Sequence, residues 1–301
     1  VRDGWLVDVH AIIPLRSRPF PWRARMFLDE LPETVLEVPE AIRIEPALPS
    51  ATEHFGATDA AATSLPSRTF DAVILAAPVW FLAPSRPLTS FLASDGASHL
   101  RGVRVVCLLT CRNMWQNAAL TLTRRLASLG AGPTACVCVT DRTQGFISFV
   151  NTPLWLLTGK RRRALLPSIG LTEAGVATAV TRVKSFLSAA PLHPSPLHPS
   201  FVGLSDIDGW FWPERVGAVL WKGFATLLSA AGRKHPVLRR ALLFPCAFAM
   251  IAAILCLVPP LRILGRPLLR FASVLSPRTR ARIAEIRATG RTAPLTTEIP
   301  T

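Results

Sequence analysis

"FDAVILAAPVWFLAPSRPLTSFL", residues 70–92, decides the fold. Its first part, "FDAVILAAP" (70–78), is a nearly continuous apolar run, short for a helix and without the alternation of a half-exposed strand. Such runs are expected of strands covered on both faces, as in a parallel sheet. Beyond the loop "PVWFLAPSRP" (78–87) a helical pattern follows near 85–95, which completes one βα unit.

Working outward, "WLVDVHAII" (5–13), "VRVVCLLT" (103–110) and "ACVCVTD" (135–141) have the same texture. Helical periodicity recurs near 114–129, where Gly130 is placed as a C-terminal cap, and near 172–188. The expectation is an α/β domain over residues 1–190: an open parallel sheet containing segments near 6–13, 71–77, 103–110 and 135–140, with helices on both sides. The insert 14–68 is rich in Pro and Ala and is expected to run over the surface, partly mobile. A linker over 191–204 holds "PLHPSPLHPS" (191–200), a five-residue unit given twice whose prolines suit an extended spacer. Its two His have no Cys or acidic neighbours, so no metal site is expected.

Residues 205–301 differ again. "ALLFPCAFAMIAAILCLVPPL" (241–261) carries no charge over 21 residues, enough to cross a bilayer core of about 30 Å. Pro245, Pro259 and Pro260 shorten the clean helix to about 13 residues, which favours a kinked segment lying in one leaflet. Trp210, Trp212 and Trp221, with Arg233, Arg239, Arg240, Arg262, Arg266 and Arg270, are expected to meet headgroups. The competing expectation is a buried helical hairpin packed on the α/β domain.

Composition points the same way. The net charge is +15, with a pI near 11.2 and a mean hydropathy of +0.35. The Arg residues are spread thinly through apolar sequence with no aromatic-basic ladder, which argues against nucleic acid and for a lipid surface. The six Cys form no CxxC pair and are read as reduced, small apolar residues of a cytoplasmic protein.

Open α/β sheets bind ligands beyond the C-terminal ends of their strands. Pro78, Trp80 and Phe81 follow one strand, and Thr110, Arg112 and Asn113 follow the next, within "TCRNMW" (110–115). A planar cofactor needs an aromatic wall such as Trp80 or Phe81 and nearby donors such as Arg112 and Asn113. Asp141 ends a third strand, and Arg112 alternatively meets a carboxylate or phosphate on a substrate. Trp80 and Trp115 fit a core-capping role equally well. Cys111 is read as a packing residue, because no activating base is marked in sequence, and no catalytic residue is assigned.

Four stretches resemble one family: "RPFPWRARMFLDELPETVLEVP" (18–39), residues 70–92 above, "CRNMWQNA" (111–118) and "VTDRTQGFISFVNTPLWLLTGKRR" (139–162). In this order they resemble the flavodoxin-like proteins called dialkylresorcinol condensing enzymes, over roughly residues 5–190. The resemblance implies a flavodoxin-like sheet and a part in dialkylresorcinol and aryl-polyene lipid biosynthesis beside a ketosynthase. It also implies FMN as acceptor for oxidative aromatisation of a cyclic diketone, with Pro78, Trp80, Phe81, Thr110, Arg112, Asn113 and Asp141 on the cofactor side. In that family the first strand leads into a Gly- and Ser/Thr-rich phosphate loop. No such loop precedes Trp5, so "WLVDVHAII" corresponds to the family's second strand and the chain is expected to be truncated at its N terminus. FMN binding by these residues alone is expected to be weak or nil. Two other roles use the same features: an NAD(P)H-dependent quinone or FMN reductase, and a non-catalytic scaffold holding the ketosynthase at the inner face of the membrane.

Overall fold

The computed structural model describes residues 5–16, 18–47, 70–112, 114–140, 147–160, 170–188, 200–202 and 207–275. Four parallel strands form the centre: β3 (Ala72–Trp80), β5 (Arg104–Cys111), β6 (Thr134–Thr140) and β7 (Ser200–Val202). The two-residue strand β4 (Ala83–Pro84) folds back antiparallel on the end of β3. Register places Pro78 beside Thr110, and Thr110 beside Val139, at one edge of the sheet. The chain is thus α/β with a mixed, mostly parallel open sheet, compatible with a flavodoxin-like fold.

Its two faces are covered unequally. On one side Leu75, Ala77, Val105, Cys107, Leu109 and Cys136 pack under helices α2 (Arg86–Leu92) and α3 (Gln116–Ser128). Leu88, Phe91, Ala119, Leu122 and Leu126 supply the helical half of that core. On the other side α5 (Glu173–Ser188) brings Ala179 and Val183 onto Val106, Val137 and Val139. β5 and β6 are therefore sandwiched, which is why their sequence is apolar without interruption. β3 is not: Ile74, Ala76 and Pro78 are exposed on its second face. Helix α3 ends as its sequence suggests, with Gly130 in the left-handed region and the Ala131 N–H returning to the Leu126 carbonyl. Helix α4 (Ile147–Thr158), within a stretch quoted for the resemblance, was not anticipated.

The N-terminal run departs from expectation. Strand β1 (His10–Pro14) does not join the parallel sheet; it pairs antiparallel with β2 (Ile42–Pro46) in a separate two-stranded hairpin. Ile12, Ile42 and Ile44 point into the core beside α2. Between the two strands lies α1 (Ala24–Val35), where a surface excursion was expected. This part of the insert is instead docked, by Leu31 and by a buried charge cluster: Glu30, fully buried, meets Arg18 at 2.9 Å and Arg86 at 3.3 Å, and Arg18 meets Glu40 at 2.6 Å. Arg86 is the first residue of α2, so the cluster ties the insert to the main domain. Residues 48–69 lie outside the described residues.

The C-terminal region departs as well. Ser200–Val202, placed in the linker, adds β7 to the sheet by pairing with Ala135–Val137; residues 191–199 lie outside the described residues. Helices α6 (Ile207–Lys234) and α7 (Pro236–Leu275) form an antiparallel hairpin, with Leu228 against Leu243 and Cys246, and Ala225 against Met250. α7 continues as helix through Pro245, Pro259 and Pro260. At Pro245 the carbonyl that loses its partner belongs to exposed Ala241, so the lost bond faces outward. α6 packs on α1 and α3. Arg239 fixes α7 to α1 through Glu33 at 2.6 Å and Asp29 at 3.1 Å, so this Arg faces the domain and not a headgroup layer. Trp221 likewise points inward, with Phe81 and Leu31.

Candidate functional site

At the C-terminal edge of the sheet, β3 reverses into β4 through Phe81 and Leu82, with φ of 50° and 63°. A two-residue turn of this hand suits the strand twist but normally uses Asn or Gly. Two bulky residues there are strained, of order 1 kcal/mol each. Packing holds them. The Phe81 ring lies 4.9 Å from Phe27 and 5.3 Å from Trp221. The Asn117 amide donates to the Leu82 carbonyl at 3.0 Å, and the Leu82 side chain fills the space a Cβ on Gly217 would need.

Trp80 meets Trp22 edge-on at 5.4 Å, and Trp22 lies 5.9 Å from Phe27. Five rings therefore run in a chain from β3 through the segment before α1 to α6. The same segment docks on the end of α4: the Trp22 N–H donates to Leu156, Phe20 packs on Trp155 at 5.5 Å, and Gly159 lies against Phe20 and Pro21. "PFPW", "PVWF" and "LTGK", distant in sequence and each within a stretch quoted for the resemblance, thus meet at one end of the sheet.

Beside the second loop, at the start of α3, stands a residue that sequence reading missed. Glu214, on α6, reaches the N terminus of α3, where its Oε1 accepts from the Asn117 N–H at 2.5 Å and its carboxyl also lies against the Gln116 N–H. The start of α3 has Trp115 at its cap position, with no side chain of its own to satisfy those donors. Glu214 is 1% exposed, and its Oε2 has no hydrogen-bond partner among the described residues. Burial pushes its pKa up to about 7, against the pull of the two N–H groups and the Arg215 charge. The signal available in sequence was an acidic residue inside the apolar "WFWPERVGAVLW" (210–221).

Cys111 and Cys138 approach to 3.5 Å on adjacent strands. The hydrogen bond with Cys138, then burial, then the Glu214 charge raise the Cys111 pKa well above the usual thiol range. A thiol held protonated is a poor nucleophile, which fits a packing role. All six Cys are free.

Of the residues assigned from sequence, Pro78, Trp80, Phe81, Thr110 and Arg112 lie at this one edge. Pro78 is exposed; the others are partly buried. Asn113 and Asp141 lie outside the described residues. Among the described residues the set does not fit FMN in this arrangement. The rings that would wall the flavin, Trp80 and Phe81, are packed on Trp22, Phe27 and Trp221. The donors at the α3 N terminus are taken by Glu214. Among the described residues no group of His, Cys, Asp and Glu is arranged to hold a metal.

No protein-family model, no curated protein and no solved structure matches the chain.

Proposed function

We propose that the chain is a peripheral membrane component of dialkylresorcinol-type lipid biosynthesis, which holds its α/β domain, and with it a ketosynthase, at a bilayer surface. One observation carries the surface role: the outer face of the α6–α7 hairpin is apolar and unburied. Val219 on α6 is 71% exposed, and Val237 and Phe248 on α7 are 74% and 75% exposed, with Phe244 and Ile251 alongside. The window Pro236–Ala253 has a mean hydropathy of 1.5 and is only 22% buried. A packed core helix would bury most of such a window. The inward face of α7 is committed to α6 and α1 through Leu243, Cys246, Met250 and Arg239, so the geometry favours a helix lying along the interface over one crossing it. Lys222, Arg233 and Arg240 are exposed on the hairpin, where they suit anionic headgroups. The pathway assignment rests on the resemblance of the quoted stretches. The packed ligand edge favours the scaffold reading over aromatisation, because among the described residues its rings and helix-terminal donors are already engaged with the protein's own side chains. Flotation of the full chain with phosphatidylglycerol-containing vesicles tests the surface role: the protein should rise with the vesicles at low salt. A monodisperse protein left at the bottom of the gradient would return the hairpin to a purely structural role.

A further inference from the structure

Strand β3 has an open edge. The Val105 N–H donates to the Pro133 carbonyl at 2.9 Å, so alternate residues of β5 starting at Val105 turn their backbone groups to β6, and those between turn theirs to β3. Val106 stands opposite Ile74, and in a parallel ladder it bonds to the residues on either side, Val73 and Leu75. Ala72, Ile74 and Ala76 therefore aim their N–H and C=O groups away from β5. Pro78 obeys the same alternation: its carbonyl points outward and accepts from the Ser85 N–H at 3.2 Å. The N–H that Pro78 lacks would have lain on that outer side, where a proline is tolerated. Beyond Pro78 the edge is closed by β4, which pairs with Val79 and Trp80. From Ala72 to Ala76 no strand among the described residues pairs with it.

Sheet edges are ordinarily blunted by a charge, a proline or a bulge. Between Ala72 and Ala77 this one has no charge and no proline, and its register with β5 runs without a bulge. Its side chains on the bare face are apolar, with Ile74 47% exposed and Ala76 exposed beside it. β5 and β6, of the same apolar texture, are each paired on both edges. β3 has the sequence of an inner strand in the position of an outer one.

We propose that this edge is a dimer interface, in which Ala72–Ala76 pairs antiparallel with the same edge of a second copy of the chain about a twofold axis at Ile74, joining two sheets into one. The edge itself selects the register. Centred on Ile74, each Ala72 faces the other copy's Ala76 and the two Ile74 residues face each other, so that all three outward residues exchange hydrogen bonds. A shift toward the C terminus would engage Pro78, which has no N–H and whose carbonyl Ser85 already holds. Charge also points to a second copy here. The chain carries a net charge of +15, and a twofold axis sets every charge near it against its own kind. A ladder with no charged residue lets two such chains meet without that repulsion, and the small Ala72 and Ala76 leave room for the two Ile74 side chains to touch. A ladder this short buries less than a standard interface of about 1,600 Å², so the dimer is weak and reversible, with a Kd on the order of 10 µM.

Sedimentation equilibrium of the full chain in vesicle-free buffer, from about tenfold below to tenfold above that Kd, reads the association. The mass of wild type should rise from 32.7 kDa toward twice that value. Ile74→Lys alters a side chain that is already exposed, so it should keep the fold and weaken association at least about tenfold, because like charges would then face each other across the axis. Phe244→Ser/Phe248→Ser, on the outer face of the α6–α7 hairpin, should dimerise as wild type does. Ile74→Cys, oxidised with diamide, should give a disulfide joining the two copies at position 74, since hydrogen-bonded partners lie about 5.5 Å apart at Cα. The two thiols lose two hydrogens, which diamide takes up, and peptide mass spectrometry identifies the joined peptides. The proposal is overturned if wild type stays monomeric at the highest concentration, if a folded Ile74→Lys associates like wild type, or if the hairpin variant loses the dimer. It is equally overturned if oxidised Ile74→Cys is joined through Cys256 and never at position 74, or if association runs on past two copies, since the edge would then take a different segment.

Discussion

Replacing Glu214 by Gln should remove a pH dependence built into the docking of α6. The pKa of Glu214 is about 7 in the folded chain, against an ordinary 4.5. A carboxyl group with a raised folded pKa binds its proton more tightly when folded. Its stability contribution is therefore full below about pH 4.5 and falls as pH rises to about 7, levelling off above. A difference of about 2.5 units corresponds to about 3 kcal/mol across that window. The group is fully buried, so little of this is screened away. Gln keeps an oxygen for the Asn117 and Gln116 N–H groups and has no proton to lose. Urea unfolding of both proteins at pH 5 and pH 8, followed by tryptophan fluorescence, gives the difference directly, because groups common to both cancel. Gln should gain about 2 to 3 kcal/mol on wild type between the two pH values. A difference that does not change with pH, or one in which wild type gains, would refute the assignment of a buried, strained charge.

Three other outcomes follow from the packing. Gly132→Ala would place a Cβ 2.7 Å from the Gly102 carbonyl oxygen and 2.9 Å from that of Val103, both backbone, so it should lower stability by about 1–3 kcal/mol in denaturant titration. Glu30→Gln would leave Glu40 as the remaining carboxylate facing Arg18 and Arg86, at a cost of about 1.5–3 kcal/mol at pH 7; burial alone would raise the Glu30 pKa, but the Arg18 hydrogen bond and the nearby Arg charges together hold it below its ordinary value, so the loss should shrink as acid titrates wild type through that lowered value. Limited alkylation with iodoacetamide at pH 8, read by peptide mass spectrometry, should label exposed Cys256 well before Cys111, whose thiol is held protonated.

The parts of this fold legible in sequence are those whose burial is uniform. β5 and β6 are covered on both faces, so "VRVVCLLT" and "ACVCVTD" are apolar without a break, and α3 stops where Gly130 allows a left-handed residue. β3 shows the limit: its run is equally apolar, yet Ile74 and Ala76 face out. An apolar run does not state the direction of its partner, and for that reason His10–Pro14 was placed in the parallel sheet although it pairs antiparallel with a strand some thirty residues on. α1 was hidden because its core-facing side includes Glu30 and Pro32, which break the apolar stripe. At the candidate site, strand ends pointed to Trp80, Phe81 and Arg112. For Glu214 the local signal was only an acidic residue in an apolar stretch, and its importance depends on α6 folding back from a region read as a tail. The same fold-back removed Trp221 and Arg239 from the expected headgroup layer.

The most direct test of the membrane-surface account is vesicle partitioning of a Phe244→Ser/Phe248→Ser double variant against wild type. Both rings are exposed and neither belongs to a buried cluster, so folding should be unaffected. If each ring loses about 1.5 kcal/mol of transfer into the interface, partitioning should fall by about a hundredfold. Equal partitioning of the two folded proteins would contradict the claim that this hairpin face meets the bilayer.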